Sequence, residues 1–510
     1  MKRHLRVYLI IMVTVVILMS PAMGQQGRQF DVTSSPNVVG SGARAMGVGG
    51  AFIAIADDAT AASWNPAALI IMRRPEAAIM LSYEDRERWG NTKLYDFNYI
   101  AVSYPFTLAD RNMVVSFNYQ RLFDFNRIFI NSFHSEEIEN ETWQWGPLGP
   151  PGRPVTQNLT TRTSDIEVSK EVTGDIGAIA PAFAIQIVPK LSVGVTVNFW
   201  MDGLVNDGYS SVYTQHEEGN HRSELFIYLD KNDDHHLDPG ELIPIKHKTS
   251  DPRYFTNDIT IKREFDFFGI NANLGLLWMV TPELSIGAVY KMPFTAKVDF
   301  VQEEEIVGAT ISDRERKEIR EPISRSTKRY KIAFPAVYGL GMAWRFNDEF
   351  TMALDVSYTE WNKFIIREYE PLGVRAVPTI MGTTGDKYLK GMRTSAVNGV
   401  PTQYARVKGA YTARLGAEYL FILTKTIIPA RLGFAYDPEP AQGNPDDFYD
   451  VTGGTGIMLF DRLIFDIAYV HRWSQSATLA TWTDVDGNIR EEKRGPVTQH
   501  IVMLSTIFHF

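Results

Sequence analysis

Apolar side chains fall on every second residue in segment after segment of this 510-residue chain. In 191–200, Leu191, Val193, Val195, Val197 and Phe199 share one face, while Ser192, Gly194, Thr196, Asn198 and Trp200 share the other. Met352, Leu354, Val356 and Tyr358 oppose Thr351, Ala353, Asp355, Ser357 and Thr359 in the same way. The pattern returns over 113–119, 270–278, 284–292, 336–345, 412–419, 431–437 and 463–472. A period of two belongs to strands whose faces meet different surroundings. Helical membrane spans are excluded, because no later segment approaches the ~20 apolar residues that one needs.

A soluble sandwich and a transmembrane β-barrel both satisfy the alternation. Three features favour the barrel. Asp355, Arg414, Glu418, Arg431 and Asp466 sit on the polar faces of strands, as a wet lumen allows. Connections alternate between tight turns (188–190, 281–283, 347–349, 460–462) and long polar stretches (131–164, 202–253, 302–323, 370–403), as periplasmic turns and extracellular loops do. The last strand sets Val502, Leu504, Phe508 and Phe510 on one face and closes on an aromatic residue, which looks like the assembly signal of bacterial outer-membrane barrels. The predicted fold is therefore all-β, an antiparallel transmembrane barrel of about 14 strands. A lumen of that width is too large for the wall's own side chains to fill.

The stretch 40–76 is the natural occupant. It is rich in Gly and Ala, carries Asp57 and Asp58, and closes on Trp64-Asn65-Pro66-Ala67 before the first alternating segment. The expected organisation is a signal peptide over 1–24, an N-terminal hatch or plug over 25–76 inside the lumen, and the barrel over 77–510. The signal peptide is read from basic Lys2, Arg3 and Arg6, an apolar core from Val7 to Met19 and the small-residue site Ala22-Met23-Gly24. With 0 Cys there is no disulfide framework, and a net charge of -9 gives no support to nucleic-acid binding. The 22 Tyr, 29 Phe and 10 Trp suit interfacial girdles.

The run Trp64-Asn65-Pro66-Ala67-Ala68-Leu69, followed by Met72, Arg73, Arg74 and Pro75, resembles the N-terminal hatch region of the FadL-type long-chain fatty-acid and hydrocarbon transporters of the bacterial outer membrane. The segment 338–348, continuing to Asp355 and Trp361, is similar to a strand pair of that family, as is 413–419 followed by 431–440. The resemblance implies a 14-stranded barrel about an N-terminal hatch. It also implies passive uptake of hydrophobic molecules through a lateral opening, by a monomer that is not an enzyme. Members of the wider family also resemble adaptors of protein secretion systems, which is the alternative function.

Two motifs carry candidate chemistry. Pro66 biases Asn65 toward extended backbone, and the Asn amide can bond neighbouring backbone, so Trp64, Asn65, Pro66 and Ala67 are the expected hatch hinge. Asp230, Asn232, Asp234, His236 (through its carbonyl), Asp238 and Glu241 match positions 1, 3, 5, 7, 9 and 12 of a calcium loop, with His235 where Gly normally turns. The alternative is a solvated acidic loop. Gly47-Val48-Gly49-Gly50 lacks the ending of a phosphate loop. Glu136-Glu137 and Glu303-Glu304-Glu305 read as solvated loop faces, or as cation-bridged contacts with lipopolysaccharide in the surrounding outer-membrane lipid. The ligand expected is a hydrophobic small molecule, and its binding residues are unassigned.

Overall fold

The computed structural model describes residues 42–86, 92–124, 127–144, 154–202, 209–229, 243–249, 253–312, 315–371, 393–397, 401–424, 426–483 and 489–510. The expected signal peptide lies outside them.

The strands form one closed antiparallel barrel of 14 strands. The first, Glu76–Arg86, pairs with the last, Ile489–His509, from Glu76↔His509 to Arg86↔Gln499, and on its other side with Thr92–Leu108. Closure removes the sheet edge that lipid cannot satisfy. The tight turns gather at one end. At two of them, Ala109-Asp110 and Phe460-Asp461, both residues have positive φ, between 50° and 58°, the geometry that matches strand twist in a two-residue hairpin.

The outward-pointing residues of the alternating strands are apolar and exposed, among them Ile79, Leu81, Ile100, Val102, Ile270, Leu274, Leu276, Leu354 and Val356. The opposite faces, including Ser192, Thr196, Asn198, Asp355, Arg414, Glu418, Arg431 and Asp466, are buried. Aromatic pairs mark both rims of the apolar band. Trp344–Phe346, Tyr419–Phe421 and Phe508–Phe510 lie near the tight turns, with ring centres 6.1, 5.0 and 5.9 Å apart. Tyr290–Tyr338, Tyr358–Tyr411 and Tyr449–Trp473 lie toward the other end, at 5.1, 4.7 and 5.8 Å. Aromatic girdles of this kind sit at the two membrane interfaces.

The long polar stretches differ from expectation. Much of 131–164, 202–253 and 302–323 is strand rather than loop. Arg127–Gln144 pairs with Pro154–Val188 from Arg127↔Val172 to Gln144↔Val155, and Tyr209–Leu229 pairs along the other side of Pro154–Val188. Ile243–Thr249 adds to the tip of Tyr209–Leu229. Glu303, Glu304 and Glu305 likewise lie within the strand Phe294–Ser312, where Glu303 pairs Arg325 at 3.5 Å and Glu305 approaches Arg320 at 3.9 Å. In these stretches polar residues take up successive positions, so the apolar alternation stops while the ladder continues.

Candidate functional site

The described part of the hatch begins at residue 42 and holds two short helices, Ala43–Gly47 and Ala61–Trp64, and a 3-10 turn, Pro66–Ile71. Its small residues let backbone approach backbone, and Phe52, Trp64 and Leu69 supply bulk: all three are buried, with Phe52 and Trp64 edge to face at 6.0 Å. Asn65 has extended backbone (φ -150°, ψ 102°), as the following proline requires. Its Oδ1 accepts from Ala67 N at 3.2 Å and caps the 3-10 turn, with Pro66 in the first position, where a missing N–H costs nothing. Its Nδ2 donates to Ile53 O at 2.9 Å within the hatch and to Leu276 O at 3.1 Å in the wall. One side chain thus ties two hatch segments to the barrel. Ser192 Oγ donates to Ala67 O at 3.0 Å and Thr196 Oγ1 to Ala62 O at 2.7 Å beside it. Trp64, Asn65, Pro66 and Ala67 come together at this joint.

The wall is cut to receive the hatch. A Cβ on Gly194 would stand 2.4 Å from the Pro66 carbonyl carbon, and one on Gly275 2.2 Å from Asn65 Oδ1. Across the lumen, Val48 O lies 2.2 Å from a Cβ position on Gly416, and Gly49 N 2.1 Å from one on Gly433. Glycine in a strand is the usual mark of such close backbone approach.

Charge completes the seat. Asp355 Oδ2 accepts from Phe52 N at 2.7 Å and Ile53 N at 2.8 Å. The Arg44 guanidinium forks onto Glu418 at 3.1 and 2.9 Å and also bonds Asp57. Arg431 joins Glu418 and Asp466, each at 2.6 Å. In the hatch, burial pushes the Asp58 carboxyl above the usual carboxylate range, opposed by Arg44 and by the Thr60 hydrogen bonds. The acidic and basic residues that alternation assigns to the lumen are therefore the groups that clamp the hatch.

On the outer side of the hatch the lumen is aromatic. Phe294 stacks on Phe334 at 4.7 Å, Phe334 meets Phe364 at 5.0 Å and Phe267 at 5.6 Å, and Phe300 packs on Phe265 at 4.8 Å. Trp200 and Trp361 extend the cluster. This lining flanks a break in the wall. The ladder runs to Lys291↔Val337 and resumes at Phe294↔Phe334, leaving Met292-Pro293 opposite Pro335-Ala336. Neither proline has an N–H to donate. On the next strand the chain leaves the ladder for the turn Trp361–Lys363 at the same level, between Val337↔Thr359 and Ala333↔Ile365. Hatch residue Ile53 packs just below, against Gly287, Gly339 and Gly341.

The model of one family, described as outer membrane protein transport protein (OMPP1/FadL/TodX), matches residues 30–508. The chain belongs to this family. No curated protein matches the sequence. Among solved structures, a FadL homologue from Pseudomonas aeruginosa is similar at 14% identity and a TM-score of 0.52, covering 94% of this chain and 100% of that one. The toluene transporter TbuX of Ralstonia pickettii (14% identity, TM-score 0.45, 93% and 99% covered) and the toluene transporter TodX of Pseudomonas putida (13%, 0.44, 94% and 99%) are further matches.

As an outer-membrane transport protein of the FadL family, the chain has site features that sequence reading did not single out. The wall glycines were visible as letters, but their partners lie more than a hundred residues away. The aromatic lining was hidden because Phe267 and Phe268 are neighbours on opposite faces, one buried and one exposed. Facing prolines 42 residues apart, by contrast, carry a signal once the strands are aligned. The calcium-loop residues Asp230, Asn232, Asp234, His236, Asp238 and Glu241 lie outside the described residues. Among the described residues no acidic or histidine cluster is suited to a metal ion.

Proposed function

We propose that this FadL-family barrel takes up hydrophobic compounds such as long-chain fatty acids passively, with the hatch as its gate. The aromatic lining beside the Pro293–Pro335 break carries the reading. An apolar ligand descending from the outer end meets Phe265, Phe300, Phe294 and Phe334 in succession, and the hatch blocks the way on. The weakest part of the wall lies next to Phe294 and Phe334, so the ligand leaves there toward the bilayer. Ile53, held by Asn65 from one side and by Asp355 from the other, packs behind that seam and opens it by withdrawing. Hydrophobic sites need an apolar lining with few polar groups, and the lining meets that requirement.

The test is uptake of labelled oleate and of a labelled alkane by cells lacking their own transporters of this family. Cells carrying the wild-type protein should accumulate label faster than cells without it, and Phe294→Ala with Phe334→Ala should cut the difference about tenfold, which corresponds to about 1.4 kcal/mol of lost contact with the ligand. Equal uptake with and without the protein would overturn the reading and leave the secretion-adaptor alternative to be tested by co-purification.

A further inference from the structure

The lipid-facing side of the last four strands carries more polarity than hydrocarbon contact calls for. Register aligns Leu432, Gly453, Tyr469 and Val502 in one row, Phe434, Val451, His471 and His500 in the next, and Tyr436, Tyr449 and Trp473 at the outer girdle. The His471 and His500 rings lie 5.1 Å apart, and His471 stacks on Trp473 at 5.4 Å. Tyr469 leans across to His500, its hydroxyl 2.7 Å from Nδ1. That lean uncovers Gly453, where an added Cβ would meet only Arg431 O at 3.9 Å. The result is an outward-facing groove of ≈ 530 Å³ lined by Leu432, Val451, Thr452, Gly453, Tyr469, His471 and Trp473.

Two imidazoles on the lipid-facing side of neighbouring strands are costly without polar partners. Among the described residues, no hydrogen bond satisfies His471. A strand glycine that opens a groove marks close approach by something else. We propose that this face seats one phosphorylated, multiply acylated glycolipid of the outer leaflet. An acyl chain lies over Gly453 between Leu432, Val451 and Tyr469. His471 and His500 donate hydrogen bonds to a headgroup phosphate, and the flat faces of Trp473 and Tyr449 carry the sugar. The depth agrees, because the imidazole row sits one step inside the outer girdle, where headgroups begin. Two adjacent donors match the oxygens of a phosphate better than those of a zwitterionic headgroup with its own cation. The site depends on the outer-membrane location and not on what passes through the lumen.

Native mass spectrometry can count the lipid that stays bound. The full-length protein, in nanodiscs of phosphatidylcholine doped separately with diphosphorylated lipid A, dephosphorylated lipid A or phosphatidylglycerol, is released and weighed. Wild type should retain diphosphorylated lipid A at least about tenfold over the other two. Gly453→Leu, which fills open space, and the His471→Gln, His500→Gln double variant should each lose that preference while keeping the mobility of folded barrel on unheated gels and unchanged hydrocarbon uptake. Equal retention by wild type and both variants overturns the site. Equal retention of phosphatidylglycerol or of the dephosphorylated lipid overturns the assigned occupant.

Discussion

Asn65 concentrates the hatch's attachment in one amide. Its two donated bonds use both amide hydrogens, its Oδ1 accepts from Ala67 N, and the residue is fully buried. Asn65→Ala strands the buried Ile53 carbonyl, at a cost of about 1–3 kcal/mol, and removes the tie to Leu276 O in the wall. Asn65→Asp keeps the cap to Ala67 N but sets a carboxylate against the carbonyls of Ile53 and Leu276. Both variants should raise basal ion conductance in planar bilayers, and Asn65→Asp should not rescue Asn65→Ala. A wild-type trace from Asn65→Asp would mean that the cap alone holds the joint. Gly275→Ala approaches the same joint from the wall. Its new methyl cannot coexist with Asn65 Oδ1, so the hatch must shift, and limited proteolysis should cleave between residues 42 and 72 faster than in wild type.

At the scale of elements, the strands were legible wherever one face meets lipid and the other the lumen. Leu191–Asp202 and Phe350–Thr359 show it: Ser192, Thr196 and Asp355 fell on the predicted inner face and bond the hatch there. The outer hairpins were not legible. Arg127–Gln144 reads as loop because Asn131, Ser132, His134, Ser135, Glu136 and Glu137 put polar residues at successive positions and so remove the alternation that signals a strand. The joint motif 64–67 was legible because proline and asparagine act locally, whereas the glycines that receive it act only through a partner distant in sequence. The seam at Pro293 and Pro335 belongs to this scale too. Pro293→Ala with Pro335→Ala restores two N–H groups, and ladder bonds are worth about 0.5–1.5 kcal/mol each. If the seam is the exit, the double variant should open about tenfold less often and slow hydrocarbon uptake accordingly, with amide exchange around residues 292 and 336 slowed in parallel. Slower exchange with unchanged uptake would move the exit elsewhere.

At the scale of the whole molecule, the hatch and the wall depend on each other unequally. The barrel closes through strand pairs alone, from Glu76↔His509 round to Leu463↔Phe508, and none of those ladder bonds passes through the hatch. The hatch holds only short helices and turns, and its bulky residues are buried against the wall as much as against one another. Deleting residues 42–72 while keeping residues 1–41 should therefore leave a barrel that folds and resists heat on gels. Asp355, Glu418, Arg431 and Asp466 would then face water, which removes the cost of burying them. The aromatic cluster draws on only part of the wall, from Ile176 to Ala410, and beside the later strands the described buried cluster is the smaller one of Phe448, Ala477 and Val497, so the aromatic residues make a one-sided seal. Planar bilayers should accordingly record a steady, large conductance from the deleted form, against a low conductance from wild type. A folded deletion barrel that stays closed to ions would place the seal in the aromatic cluster and remove the hatch from the gate.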